Sequence, residues 1–500
     1  MPALGAHYSG GVWALKEGGE STLAAKISFH ILRFVCYNLC YQNNVPELKK
    51  GKVMSESLIE DYKRFLKCGK TERECASLII EAARAAGYKN IEECEHLNSG
   101  DKVFACKRGK SVALFEIGTG KIECGMNVLG AHIDSPRLDV KQNPLYEKDF
   151  LVYLNTHYYG GIKKYQWVTL PLAIHGVVCL KDGSTVKVCV GEDEGDPVFC
   201  ISDILPHLAQ KQMKEAASEF ITGENLDLVF ASEAPSVESA EASDEPRKKD
   251  KAKKAVLALL EQKWGITEKD FASAELEVVP AGGPRDLGFD RSLILAYGQD
   301  DRSCAFASMQ AMLSCQAKER TNCCVCVDKE EIGSYGATGM QSRFLENAVA
   351  EVCYKLGGGE REARLCLDKS YMLSSDVNSA FDPLNADLFD RENASFLGGG
   401  LVLQKYTGSR GKSGASDADP EFIAKVRGAF DDAGVRYQMA ELGKVDQGGG
   451  GTIAHLAARY GMYVLDAGVA VLSMHAPWEI TSKADIQHAY EGYRAFLGLV

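Results

Sequence analysis

Short apolar runs that stop at acidic or imidazole residues constrain this chain more than any other feature. "MNVL" leads into "GAHID", "SLILAY" into "GQDDR", "NCCVCV" into "DKEEIG", "YML" into "SSDVN", and "VAVL" into "SMHAP". Runs this short and this apolar read as buried strands. Helical spacing fills many of the intervals. "SESLIEDYKRFLK" and "PEFIAKVRGAFDDAGV" show it, and "TERECASLIIEAARAAG" adds a capping box (Thr71 with Glu74) and a stop at Gly87. Helical texture is expected from about residue 20 to 90. Helices alternating with buried strands predict an α/β fold, a mixed sheet flanked by helices.

The rhythm breaks near residue 140. "DFLVYLNTHYYGGIKKYQWVTLPLAIHGVVCLKDGSTVKVCVGE" reads as strands separated by turn signals such as "YGG" and "KDGS". Five hundred residues also exceed what one hydrophobic core usually organises. The expected organisation is a discontinuous α/β domain over residues 1–136 and 289–500, interrupted by a β-rich insert over residues 137–288. Inside the insert, the Ser-, Ala- and charge-rich stretch around residues 231–254 reads as an exposed loop before the helix "AVLALLEQKWG".

Composition removes several function classes. A net charge of −12 argues against nucleic acid or an anionic membrane as the main partner. No apolar run approaches the roughly 20 residues of a membrane helix, and the first residues lack the pattern of a secretory signal. Seventeen cysteines scattered through apolar segments read as free thiols of a reducing compartment, so the cytoplasm is the expected location. Cys323 and Cys326 form a CxxC, but on a strand their side chains point to opposite faces, which argues against a thiolate metal site. Neither GxSxG nor a paired Cys/His signature supports a serine or cysteine hydrolase.

Ligands of open α/β sheets gather outside the carboxyl ends of strands. There the chain places His132 and Asp134, Asp300 and Asp301, Asp328, Glu330 and Glu331, Asp376, and His475. Each alone has a structural reading: a hydrogen-bonded core histidine, a turn or helix-cap aspartate, a solvated glutamate pair. Together they would be costly, because clustered carboxylates repel and resist desolvation. One or two divalent cations remove that cost, and nitrogen and oxygen donors suit Zn2+, Co2+ or Mn2+.

The order HxD, DD, EE, D, H resembles that of the di-zinc aminopeptidases. "GAHIDSPRLDVK", "DKEEIGS" and "LSMHAPWE" are similar to the M18 group, whose best-known members are aspartyl aminopeptidases. The likeness runs from about residue 55 to the C-terminus and takes in the insert. It implies two divalent ions, Zn2+ by preference, with Co2+ and Mn2+ as substitutes. His132 and Asp376 would hold one ion, Glu331 and His475 the other, and Asp300 would bridge them, with Asp301 as the competing bridge. The Asp300–Asp301 peptide is expected to be cis. Glu330 would act as general base and Asp134 would orient His132.

The same resemblance implies a metal-dependent aminopeptidase removing the N-terminal residue of peptides. Lys405 and Lys412, in "GLVLQKYTGSRGKSGASDA", would meet an acidic side chain, so Asp or Glu is the expected N-terminal residue; family members with Lys412 replaced by Tyr are better known, and some relatives prefer Leu. Gly449, in "DQGGGGT", would contact the substrate backbone, and His207 would contribute across a subunit boundary. The insert would mediate dimerisation towards a tetrahedral dodecamer. The rival readings are an aminopeptidase preferring neutral residues such as Leu, a related amidase, and a non-catalytic scaffold of the same fold.

Overall fold

The computed structural model describes residues 56–232 and 250–500. The part of the helical expectation covering residues 20–55, and most of the charge-rich loop, lie outside the described residues. Helices Glu56–Cys68 and Glu72–Ala85 form where the apolar spacing placed them. The second carries the Thr71/Glu74 capping box and gives way to Gly87 at φ +89°.

The main sheet has nine strands. At its centre Thr321–Val327, Met126–His132, Tyr371–Ser374 and Tyr463–Gly468 lie side by side, all parallel. Antiparallel neighbours flank this group, Ser111–Glu116 beside Thr321–Val327 and Leu401–Gln404 beside Tyr463–Gly468, so the sheet is mixed as expected. Every residue of Thr321–Val327 and Met126–His132 is buried, which is what a strand covered on both faces requires.

Helices Glu56–Cys68, Glu72–Ala85, Gln299–Ser314, Pro420–Ala433 and Lys483–Leu497 pack with Leu129, Ala131, Cys324 and Cys326 on one face. Helices Phe344–Lys355 and Glu360–Asp368 pack with Val128, Cys323 and Val325 on the other. Cys323 and Cys326 therefore do fall on opposite faces. The described cysteines are free thiols.

Because the four central strands are parallel, their carboxyl ends share one edge, and register brings Val327 opposite His132 and Ser374 opposite Gly130. A five-stranded sheet borders that edge, in the order Arg285–Leu287, Leu293–Ala296, Glu479–Ser482, Ala470–Leu472, Asn378–Ser379. A six-stranded sheet drawn from residues 137–280 carries its own core, with Leu138, Leu154, Trp167, Val178 and Val278 buried. Helix Lys251–Trp264 packs against it, realising "AVLALLEQKW". Among the described residues no helix is long and apolar enough to cross a membrane.

Candidate metal centre

Two imidazoles and three carboxylates meet at the shared strand edge. His132 Nε2 lies 3.3 Å from Asp300 Oδ1 and 3.9 Å from Asp376 Oδ1. His475 Nε2 lies 3.2 Å from Asp300 Oδ2 and 3.4 Å from Glu331 Oε2. Asp300 thus turns one oxygen to each imidazole. The donor atoms of His132, Asp300 and Asp376 lie within 4.8 Å of one another, and so do those of Asp300, Glu331 and His475.

Each side chain arrives by a local rule. His132 ends its strand, Glu330 and Glu331 occupy the turn after Thr321–Val327, and Asp376 follows Tyr371–Ser374 by two residues. His475 follows Ala470–Leu472 at φ +64°, a conformation uncommon for a side chain with a Cβ and often retained at functional positions. Asp300 and Asp301 open helix Gln299–Ser314, and the peptide between them is cis. Asp301 points elsewhere: its Oδ2 accepts from the backbone N–H of His132 at 3.3 Å.

The tautomers follow from the acceptors. His132 Nδ1 lies 3.0 Å from the carbonyl of Asp134 and His475 Nδ1 2.9 Å from the carbonyl of Gly161. A carbonyl only accepts, so each Nδ1 carries a proton, which leaves Nε2 as the nitrogen that would ligate a cation. Asp134 orients His132 chiefly through this backbone oxygen, with its carboxylate Oδ1 at 3.3 Å. The carboxylate has further partners: it accepts from the N–H groups of Glu330 and Glu331 and from the Tyr159 hydroxyl.

Burial and crowding act against the ionised carboxylates here. Burial, reinforced by Asp301, pushes Asp376 far above the usual carboxylate range, and burial with Asp300 beside it does the same to Glu331. Burial also raises Glu330 to about 7. Burial alone would lower His475, but Asp300 and Glu331 outweigh it and raise it to about 10. Glu331 Oε1 is buried with no hydrogen-bond partner. An oxygen-and-nitrogen donor set with an orphaned buried carboxylate oxygen fits divalent cations.

Sequence reasoning missed Glu479, although it stands in "SMHAPWE". It pairs with Ala296 across adjacent strands, so its carboxylate reaches both sides of the centre. Oε2 accepts from the Asp300 N–H at 3.0 Å and Oε1 from the His475 N–H at 2.7 Å. Its signal was a lone carboxylate in a strand with buried positions, which must find donors. Glu479→Gln keeps one acceptor and turns the other into a donor facing an N–H. Metal affinity or turnover is expected to fall by about 10- to 100-fold, read by chelator competition and steady-state kinetics.

A cavity of about 450 Å³ opens over the centre. Glu330 lines it together with Val377, Gln404, Leu442, Leu456, Met474 and the glycines 449–451. Gly449 sits at φ +118°, where an added Cβ would come within 2.3 Å of the Gly408 carbonyl, so only glycine permits the pairing of Gly449–Gly450 with Gly408–Ser409. After this run comes one α-helical turn, Ala454–Ala457, continued by a 3-10 turn, Ala458–Tyr460. Gln404 ends its strand buried, bonded to Asn378 and lining the cavity, while Lys405 beside it is exposed and lies outside the lining. Lys412 lines an adjoining cavity of about 290 Å³, pairs with Asp417 at 3.2 Å and lies over the Tyr406 ring. His207 is exposed and lines neither cavity.

Residues 65–497 match the family model of the aminopeptidase I zinc metalloproteases, M18. The chain belongs to the M18 family. It is 54% identical over 446 residues to a probable M18 family aminopeptidase 1 of Clostridium acetobutylicum, covering 88% of this chain and 94% of that one. The crystal structure of aminopeptidase I from the same organism is similar at a TM-score of 0.81 and 49% identity, covering 90% of this chain and 100% of that one. The M18 aminopeptidase of Thermotoga maritima gives 0.83 and 42%, covering 90% and 99%. The S. cerevisiae mApe1 chain, solved as a dodecamer, shares the fold at 19% identity and a TM-score of 0.68, covering 88% and 96%. This M18 protein is accordingly a metal-dependent aminopeptidase, with the α/β architecture read from its sequence.

Proposed function

We propose that this M18 enzyme removes neutral N-terminal residues from peptides at a two-metal centre. The observation that carries the reading is Asp300, whose two carboxylate oxygens each face a different imidazole across about the same gap. His132 and Asp376 would hold one ion, Glu331 and His475 the other, and Asp300 both. Divalent ions there, Zn2+ by the family's habit, would supply Lewis acidity to a water and to the scissile carbonyl.

The chain's own residues do the rest. Glu330 lines the cavity without belonging to either donor cluster, which leaves its carboxylate to take a proton from water and return it to the departing amine. Asp134 keeps the Glu330–Glu331 turn and His132 in register. Among the described residues no Lys or Arg lines the cavity over the centre, and Lys412 lines the adjoining one. Val377, Leu442, Leu456 and Met474 suit an uncharged side chain instead.

Cleavage of chromogenic amides of Leu, Met, Asp and Glu, with N-acetyl-Leu as control, tests this. We expect kcat/KM for Leu or Met to exceed that for Asp by roughly tenfold or more, and no cleavage of the blocked substrate. An Asp preference would overturn the neutral reading; cleavage of the blocked amide would replace aminopeptidase with amidase. For the assembly, we read residues 137–288 as the dimerising insert and residues 1–136 with 289–500 as the catalytic part. The dodecamer of the yeast relative supports self-association into a closed particle that admits peptides.

A further inference from the structure

The six-stranded sheet ends at the metal centre. Strand Leu151–Tyr159 delivers the Tyr159 hydroxyl to Asp134 Oδ2 at 2.8 Å, and two residues on, the Gly161 carbonyl reaches His475 Nδ1. We propose that Tyr159 is a positioning residue for the metal centre, acting through Asp134, and that the 159–161 corner ties the inserted sheet to both metal positions. The inference rests on the two-metal reading.

Asp134 is fully buried, and its two oxygens meet the Tyr159 hydroxyl, two backbone N–H groups and His132 Nδ1. The hydroxyl is the one side-chain donor in that set that takes no part in holding an ion. Its ring is clamped: the Arg137 guanidinium lies 3.8 Å from the ring centroid and is itself held by Asp139 and Glu277. Tyr159 therefore has little freedom to point elsewhere, and a buried carboxylate that lost this donor would find no water to replace it. On the other side, Gly160 takes φ +74°, and a Cβ on Gly161 would stand 3.3 Å from His475 Nδ1. Bare backbone is what allows a carbonyl so close to the imidazole. One corner of one strand thus fixes an acceptor for each half of the centre: the Asp134 carboxylate behind His132, Glu330 and Glu331, and the Gly161 carbonyl behind His475.

Tyr159→Phe removes only the hydroxyl and keeps the ring under Arg137. Tyr158→Phe, an exposed neighbour outside the site, is the matched control. In the full-length protein, metal retention against a chelator, kcat and KM are measured for both. Tyr159→Phe is expected to lose about 10- to 100-fold in metal retention or kcat with KM unchanged, and Tyr158→Phe to match the parent. Parent-like metal retention and kcat in Tyr159→Phe, even with a lowered melting temperature, would make Tyr159 a packing residue and overturn the inference. A parent that takes up no divalent ion would overturn the two-metal reading itself and this inference with it.

Discussion

Glu330→Gln is expected to keep its metal content and to lose about 100- to 10,000-fold in kcat. The two effects separate because the donor clusters do not include Glu330: those of His132, Asp300 and Asp376 and of Asp300, Glu331 and His475 are intact without it. The turn it sits on is held by backbone donors, Glu330 N–H and Glu331 N–H on Asp134, which an amide side chain leaves in place. Gln matches the shape of Glu but cannot accept a proton at neutral pH and pass it on. Elemental analysis gives the metals per chain, and steady-state kinetics on the preferred amide gives kcat. A metal-replete Glu330→Gln protein with parental turnover would take the proton-transfer role away from this residue.

Asp300→Asn is expected to reduce bound metal to one ion or none per chain and to lower turnover by at least on the order of 100- to 1,000-fold. Asp300 is the only side chain common to both donor clusters among the described residues, and hydrogen bonds from His132 and His475 outweigh its burial and keep its carboxyl well below the usual range. An asparagine offers one oxygen and an NH2 that points a donor where a cation belongs. Asp301→Asn is the comparison. Its carboxylate is engaged with the His132 N–H, and an amide oxygen can accept that bond equally well. Two ions are expected to stay bound in Asp301→Asn. The reverse pattern, with Asp301→Asn emptied and Asp300→Asn loaded, would move the bridge to Asp301.

The residues at the shared edge were legible because each follows an apolar run, and a run buried on both faces has to end where a site can begin. The opposite-facing Cys323 and Cys326 were legible for the same reason, the two-residue period of a strand. What escaped was whatever depends on contact between distant segments. "YYGG" reads as a turn, and nothing local says that its tyrosine and second glycine brace residues on other strands. Glu479 reads as one more acidic residue until strand pairing sets it beside Ala296. The placing of Lys405 was not legible either: at a strand end the neighbour of an inward side chain faces outward, so Gln404 lines the cavity and Lys405 does not.

The contact between Gly161 and His475 joins positions 314 residues apart, and Glu479 comes later still. A chain emerging from the ribosome therefore carries most of the acidic residues long before it can gather them. Until His475 has been synthesised and folded back against the early strands, a nascent copy has no complete hydrolytic apparatus. On the two-metal reading, partial translation products would leave the peptides around them uncut.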